Sequence, residues 1–244
     1  MKVSFSRKGF DSAAGGAPSP IIDGRPISLP IPTRHRSETT YDDIGLGEIV
    51  GRVTKGKLSG ADLCHRDPMF QDGRCAFGQV AVAQSHLANH AFGVGDIFLF
   101  FGLFADQDGG ERHHRIFGYL RVSETISLGA APPFPHCLHG FEHRHPHTIG
   151  TWNDNNTIYL GRGNVARRAT QNLRLSKAGA VGCWKIPDWL PGIGLSYHSD
   201  PARWAVDGEL RLCARGQEFV TDSIAGNKKA CRWVDDVVAE IDGK

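Results

Sequence analysis

The sequence has little that would place it in a membrane or in an oxidising compartment. None of its apolar stretches reaches the roughly 18 residues that a membrane-spanning helix needs, and the densest, Ile97–Phe104, has the length of one buried strand. The six cysteines form no CxxC pair, and a chain of this length does not depend on disulfides, so we expect free thiols. The opening residues, MKVSFSRKGF, contain no apolar run of signal-peptide length. We therefore expect a cytoplasmic protein that does not contact membranes.

The sequence also lacks an excess of charge of one sign and any repeat of fixed period. Its 28 Lys and Arg residues nearly balance its 26 Asp and Glu residues, so nucleic acid would bind through a local patch and not through bulk charge. With 40% hydrophobic and 22% charged residues, the composition excludes collagen, coiled coil and wholesale disorder. The length suits one large domain or two small ones that pack closely.

Hydrophobic periodicity predicts an α+β protein whose centre is rich in strands. The near-continuous apolar run 97–104 is typical of a central strand buried on both faces, and residues 116–122 would form a hairpin with it. Further strands are expected at 1–6 and 157–161, helices at 78–90 and 231–241, and long loops at 9–20, 33–62 and 130–150. We expect a β-rich central mixed sheet or partial barrel with flanking helices and long ordered loops.

The loop after the first predicted strand concentrates groups that bind anions. Arg7 and Lys8 supply cations, Ser12 supplies a hydroxyl, and nearby glycines let the backbone approach a ligand closely. The carboxylate of Asp11, close to two cations, should stay ionised, which suits a general base or a group that stabilises developing positive charge. The spacing is that of neither a Walker A loop nor a dinucleotide-binding fingerprint. A solvated surface loop is the alternative, and spacing alone does not separate the two.

Histidines crowd the segment 136–147. Imidazole and thiolate groups at short separations could bind zinc, but the spacing HxxxHxHxH matches no closed zinc site, and prolines make the run irregular. We therefore expect a solvated loop without a metal, and zinc remains the alternative. His145 and His147 could instead contact a phosphate or the edge of a base.

Other polar residues are candidates on weaker grounds. Glu218 could act as a general acid or base and Gln217 could read a hydrogen-bonding edge, although their spacing favours an edge strand with outward polar residues. Gln84 lies on the predicted helix two residues from a histidine, so the two side chains should point to different sides. Arg167 and Arg168 form a short basic patch that could meet a phosphate backbone.

Several segments together resemble a known family. They are SRKGFDSAAGGAPSPI, SLPIP, Thr40-Tyr41, GQVAVAQSHL, GDIFLFFGLF, IFGYL, the HPH at 145–147, NTIYL and RGQEFVTD. On these segments the chain resembles the nucleotide modification associated domain three family. The similarity runs from the first strand to the final helix, so we expect a single domain of this kind over residues 1–244.

The resemblance implies that the protein handles modified nucleotides. The chain is similar to antiviral DNA glycosylases that excise a glucosylated hydroxymethyl pyrimidine from bacteriophage DNA. Such an enzyme flips the nucleotide into a pocket and breaks the N-glycosidic bond through a sugar cation. The implied partner is double-stranded DNA that carries modified bases, with no metal, no other cofactor and no obligate protein partner. The family usually has a second acid in an HLDPDL-like segment; here the segment is HRDPMF and only Asp67 remains.

Within this scheme each candidate residue has an expected role. Asp11 is the first choice for the catalytic carboxylate and Glu218 the second, while Lys8 could alternatively attack the sugar as an amine and nick the strand. The other candidates would bind substrate or DNA: Arg7, Phe10 (as a wedge or stacking platform), Ser12, Asp67, Gln84, His145, His147, Arg167, Arg168 and Gln217.

Two other functions are compatible with the sequence. The chain could be a non-catalytic reader of modified DNA bases, because a strand and hairpin of this kind also occur in small domains that bind flipped bases. It could also be an enzyme that acts on free modified nucleotides. A strong dependence of binding on salt would favour the polymer as the ligand.

Overall fold

A computed structural model describes residues 1–205 and 208–244. The strands are β1 Val3–Arg7, β2 Ser19–Ile22, β3 Arg25–Pro26, β4 Ile31–Pro32, β5 Cys64–His65, β6 Met69–Gln71, β7 Arg74–Gln79, β8 Ile97–Asp106, β9 His113–Ser127, β10 Thr157–Val165, β11 Ser176–Lys177, β12 Ala180–Lys185, β13 Trp204–Ala205, β14 Glu209–Arg211 and β15 Glu218–Val220. The helices are α1 Gly47–Val53, α2 Ala81–Asn89, α3 Leu190–Ile193 and α4 Lys228–Asp242, with 3-10 turns at His136–Leu138, Pro146–Thr148 and Pro201–Arg203.

A nine-stranded mixed sheet forms the centre of the protein, which confirms the predicted α+β class. Its main path runs β15-β1-β8-β9-β10-β7-β6, and β2 and β3 extend it beside β8. The pairs β1–β8 and β2–β8 are parallel, and the other pairs are antiparallel. Within the part of the chain that the structure describes, the end strands β15 and β6 do not pair, so the sheet is open and not a closed barrel.

The central strand β8 is buried on both faces because its apolar side chains alternate between two cores. On one face, Leu99 and Phe101 pack in a cluster that includes Trp184 of β12 and the apolar side of α4. On the other face, Phe98 and Phe100 pack in a second, aromatic-rich cluster. The predicted hairpin is confirmed, since β8 and β9 pair antiparallel from Ile97 to Phe104.

The predicted helices need one correction. The closing helix is confirmed as α4, with Val234, Val237, Val238 and Ile241 buried along one side. The helix expected at 78–90 begins only at Ala81, because Gly78 and Gln79 still pair with β10 as the end of β7. The loop expected at 33–62 contains the short helix α1.

The curl of the main sheet positions the polar residues at one end of it. β7 lies four strands from β1 along the sheet, yet the amide of Gln79 at its end donates to the Glu218 carboxylate on β15 at 2.7 Å. Phe77 of the same strand lies beneath the Lys8 ammonium, 4.4 Å from ring centre to Nζ. Side chains from distant strands therefore meet at the end of β1.

No helix among the described residues has the length and apolar character needed to cross a bilayer.

Candidate functional site

A cavity of about 370 Å³ lies where β1, β7 and β15 meet the loops after β1, β4 and β5. Its wall combines polar and apolar residues and includes Gly9 and Gly78. The charged and amide side chains that line it are Arg7, Lys8, Asp11, Arg36, Asp67, Gln79 and Gln217. They come from segments far apart in the sequence, and the curl of the sheet unites them. The volume is within the range of pockets that enclose a small organic ligand.

Lys8 and Glu218 form a nearly buried ion pair at the inner wall. Lys8 Nζ lies 3.0 Å from Glu218 Oε1, and the two side chains are 11% and 0% exposed. The same carboxylate accepts hydrogen bonds from the hydroxyls of Ser4 and Ser6 and from the Gln79 amide. Lys8 and Gln79 line the cavity, while Glu218 lies behind them. Glu218 therefore positions groups that face the cavity and does not face it itself.

Arg7 is a half-buried cation with a free donor. Its guanidinium lies 5.7 Å from the centre of the Phe101 ring. Burial lowers the pKa of Arg7, and the charge of Asp11 partly opposes that shift. Arg7 Nε is buried and has no hydrogen-bond partner in the described part of the chain. Because Arg7 also lines the cavity, its guanidinium is suited to an anionic ligand such as a phosphate.

Asp11 belongs to a tight loop that its own side chain closes. Asp11 Oδ1 accepts hydrogen bonds from the backbone N–H groups of Ala13 and Ala14, at 2.8 and 2.7 Å. Gly15 adopts φ +82° against Phe10, where a Cβ atom would overlap the aromatic ring. Asp11 Oδ2 has no hydrogen-bond partner among the described residues and remains free for a ligand or a water molecule.

Asp67 is surrounded by imidazoles on the opposite side of the cavity. Asp67 Oδ2 lies 3.8 Å from His65 Nε2 and 3.5 Å from His147 Nε2, and Oδ1 lies 3.4 Å from His145 Nε2. The backbone N–H of Gly78 also donates to Oδ1, at 3.0 Å. Burial alone would raise the pKa of Asp67, but its interactions, chiefly those with His145, outweigh burial and lower it to about 2. The carboxylate is therefore ionised at neutral pH.

His147 is held in one tautomer by Asn156. The Asn156 Nδ2 atom donates to the His147 carbonyl, so its Oδ1 atom, 2.7 Å from His147 Nδ1, is the acceptor there. Burial is the largest cause that lowers the pKa of His147, to about 3. A neutral His147 with its hydrogen on Nδ1 presents the lone pair of Nε2 to the side of Asp67.

Trp152, which was not among the predicted site residues, covers one side of this cluster. The Trp152 ring stacks on His147 at 4.2 Å between centroids and 14° between planes. The Arg36 guanidinium lies 4.2 Å from the centre of the same ring. Both residues line the cavity. Nothing specific in the sequence selects Trp152, because a tryptophan in a turn-rich segment is too common to indicate a site.

The structure separates some predicted site residues from the cavity. Ser12, Arg167 and Arg168 are exposed and do not line it, and His145 lies behind Asp67. Gln84 is buried and accepts a hydrogen bond from the Tyr159 hydroxyl, so it faces the core. As predicted, the neighbouring His86 points elsewhere, with its Nε2 2.9 Å from the Ser196 hydroxyl.

The burial of side chains contradicts two expectations about the site, one for Phe10 and one for the histidine segment. Phe10 has no exposed surface and packs edge-on against Tyr41 in a small core that also contains Leu29, so it is not available as a wedge. The second half of the histidine segment is not a solvated loop, because His145 and His147 are buried against Asp67.

The burial of Phe10 gives a prediction about stability. We expect Phe10→Ala to lower the free energy of unfolding by about 3–5 kcal/mol, because it removes a large aromatic side chain from a packed core. Chemical denaturation of the variant and the parent protein checks this value. Phe10→Leu, which keeps most of the buried volume, is the matched control and should cost much less. A Phe10→Ala protein as stable as the parent but impaired only in binding DNA would restore the wedge interpretation.

Comparisons with known proteins add one match. Residues 2–222 match the family model described as nucleotide modification associated domain 3. The match extends from β1 past β15 and includes every residue that lines the cavity. No curated protein and no solved structure matches the chain.

Proposed function

Since the chain belongs to the nucleotide modification associated domain 3 family, we propose that it is a DNA N-glycosylase of antiphage defence. Its substrate would be a glucosylated hydroxymethyl pyrimidine in phage DNA, which it would flip out and excise to leave an abasic site. Family membership supports a role with modified nucleotides. The observation that supports the reaction is one cavity in which a carboxylate with a free oxygen, Asp11, lies with the cations Arg7 and Lys8.

The proposed chemistry is hydrolysis through a sugar cation. The bond between C1′ and the base nitrogen breaks with its electron pair on the base, and a water oxygen then bonds to C1′. In this proposal Asp11 would stabilise the cation and accept the proton that this water loses. The base leaves as the conjugate acid once it takes a proton from solvent. Glu218 contributes by holding Lys8 and Gln79, which makes it a positioning residue in this scheme.

Recognition of the flipped nucleotide would use the polar wall of the cavity. The amides of Gln79 and Gln217 line it and are suited to the edge of a pyrimidine or to the hydroxyls of its sugar adduct. With Phe10 buried, Trp152 is the large aromatic side chain of the wall. His147 and Arg36 already cover its ring, so Arg36 would have to move aside for a base to stack there. A base stacked on an aromatic side chain recovers part of the few kcal/mol that flipping costs.

The flanking phosphates would be held by cations at and around the cavity. Arg7 and Lys8 line it, and the exposed residues Ser12, Arg167 and Arg168 remain the proposed contacts outside it. Because the formal net charge is only +2, these local contacts and not bulk charge would carry the affinity.

Salt dependence measures the phosphate contact of Arg7. We expect Arg7→Gln to weaken binding to modified duplex DNA and to reduce the slope of log affinity against log salt by about 1, as the loss of one phosphate contact does. Fluorescence anisotropy at several salt concentrations gives the slope. Arg112→Gln removes an exposed charge outside the cavity and is the matched control. An unchanged slope for Arg7→Gln would show that Arg7 does not contact a phosphate.

The identity of the substrate is tested by mass spectrometry of released bases. The purified protein is incubated with glucosylated phage DNA, with unmodified DNA and with the corresponding modified mononucleotide. We expect a free modified base from the first substrate alone. Release from the mononucleotide would favour an enzyme of free nucleotides, and tight binding to modified DNA without release would favour a reader.

A further inference from the structure

We propose that His65, Asp67 and His147 form a binding site for a divalent transition-metal ion in the wall of the cavity. One ligand atom from each of the three residues lies within 4.8 Å of the other two. All three residues line the cavity. Two imidazoles and one carboxylate form the donor set that proteins use for zinc and for non-haem iron. The site differs from the zinc alternative considered for segment 136–147, since His147 alone is common to both.

The distances fit an ion among these three atoms after small shifts. With metal–ligand bonds of 2.0–2.1 Å, two ligands of a tetrahedral ion are about 3.4 Å apart. The Asp67 Oδ2 atom lies 3.5 Å from His147 Nε2 and 3.8 Å from His65 Nε2. The first distance is already that of two ligands of one ion, and the second exceeds it by a few tenths of an ångström. The ligand atoms of His65 and His147 lie within 4.8 Å of each other, so His65 would move toward both partners on binding. The His65 side chain is 19% exposed and has room to do so.

The surroundings of His147 prepare it as a ligand. Asn156 holds the hydrogen on Nδ1, so the atom that faces Asp67 Oδ2 at 3.5 Å carries a lone pair and not a hydrogen. Two buried lone pairs that face each other repel, and a cation between them removes that repulsion. Gly78 permits this position of the ring, because a Cβ atom at residue 78 would overlap it.

Asp67 is oriented from behind by Gly78 and His145, mainly through Oδ1. The Gly78 N–H donates to Oδ1 at 3.0 Å and, at the longer distance of 3.3 Å, to Oδ2, and the buried His145 Nε2 lies 3.4 Å from Oδ1 without any aligned hydrogen-bond partner among the described residues. His145 Nδ1 accepts from the backbone N–H of His147, so Nε2 carries the ring hydrogen. Partners that orient a ligand from behind in this way are typical of metal sites.

Three protein ligands leave coordination positions open to the cavity. A site of this type keeps a water molecule or a substrate oxygen as its remaining ligand. The oxygen ligand would face the same space as Asp11 and Lys8. Metal binding does not depend on the proposed glycosylase activity, and it is measured without DNA.

Cobalt binding tests the site directly. Tag-free protein is stripped with a chelator, dialysed and titrated with Co²⁺. We expect one Co²⁺ per chain with visible d–d absorption, and we expect Zn²⁺ to displace it more effectively than Mn²⁺. His147→Gln and His65→Gln should each weaken Co²⁺ binding at least tenfold, and circular dichroism verifies that the variants are folded. His139→Gln, which removes an exposed histidine outside the cluster, is the matched control and should bind as the parent does.

A variant outside the ligand set tests the orienting role of Asn156. Asn156→Ala should weaken Co²⁺ binding by about 10- to 100-fold, as the loss of a partner that orients a ligand does. Absence of saturable Co²⁺ binding by the parent protein would overturn the proposal, and the cluster would then be a hydrogen-bonded Asp–His group. Equal losses for His139→Gln and His147→Gln would also overturn it, because binding would then be distributed over surface histidines. Metal binding without base release would leave this site standing and remove the glycosylase proposal.

Discussion

Asp11→Asn is expected to reduce the rate of base excision by about 10²- to 10⁴-fold, the usual contribution of a positioned acid–base group. The amide cannot accept the proton of the attacking water and carries no charge to stabilise the sugar cation. Its carbonyl oxygen can still accept the two backbone hydrogen bonds from Ala13 and Ala14, so the loop should keep its shape. Single-turnover kinetics with modified duplex DNA give the rate, and anisotropy gives the affinity, which should change by less than about threefold.

Two further measurements test whether the loss of activity is specific to the Asp11 carboxylate. Asp108→Asn neutralises an exposed carboxylate in the loop between β8 and β9 and should leave the rate unchanged. Borohydride in the reaction traps the Schiff base that would form if the Lys8 amine attacked the sugar. Trapped protein together with an active Asp11→Asn variant would transfer the central role from Asp11 to Lys8.

Glu218→Ala is expected to cause a large loss of stability. Glu218 is fully buried, and its removal leaves the nearly buried Lys8 ammonium without its partner and the hydroxyls of Ser4 and Ser6 without their acceptor. Breaking a buried pair by removing one member costs about 3–5 kcal/mol. Urea denaturation of the variant measures the change in the free energy of unfolding.

The double variant Lys8→Met with Glu218→Leu distinguishes the cost of an unpaired charge from the cost of lost packing. Removal of both charges should recover much of the stability that Glu218→Ala loses, because replacing a buried pair with apolar groups is often neutral. If Glu218→Ala unfolds at the same urea concentration as the parent protein, the pair is not structural. Glu218 would then be available for a direct role in catalysis.

The elements that were predictable from sequence are those whose burial is decided locally. The run from Ile97 to Phe104 has apolar residues on both faces, so only a central strand accommodates it, and the structure places it between β1 and β9. The apolar side of α4 is equally plain in the spacing of its valines. The start of α2 was not predictable, because the pairing of Gly78 and Gln79 with β10 overrides the local helical pattern.

The site was only partly predictable because it depends on contacts between distant segments. Asp11, Lys8 and Arg7 are close in sequence, and their charges marked the loop. The cluster around Asp67 is different, since His65 lies in β5 while His147 lies in a 3-10 turn about 80 residues later. No spacing rule relates these positions: β5 pairs with β4 outside the main sheet, and the 3-10 turn packs its His147 ring against Gly78 of β7. Phe10 was proposed as a wedge because it lies among charged residues in the sequence. Its hydrophobic side chain is instead buried in a small core, as its hydrophobicity alone would indicate.

Formation of abasic sites is the most direct test of the central proposal. Purified protein is incubated with glucosylated phage DNA and with unmodified DNA of the same sequence, and alkali then converts abasic sites into strand breaks. We expect breaks in the modified DNA alone and their loss with Asp11→Asn. Intact modified DNA beside a working control glycosylase, or equal breakage of both DNAs, would contradict the proposal.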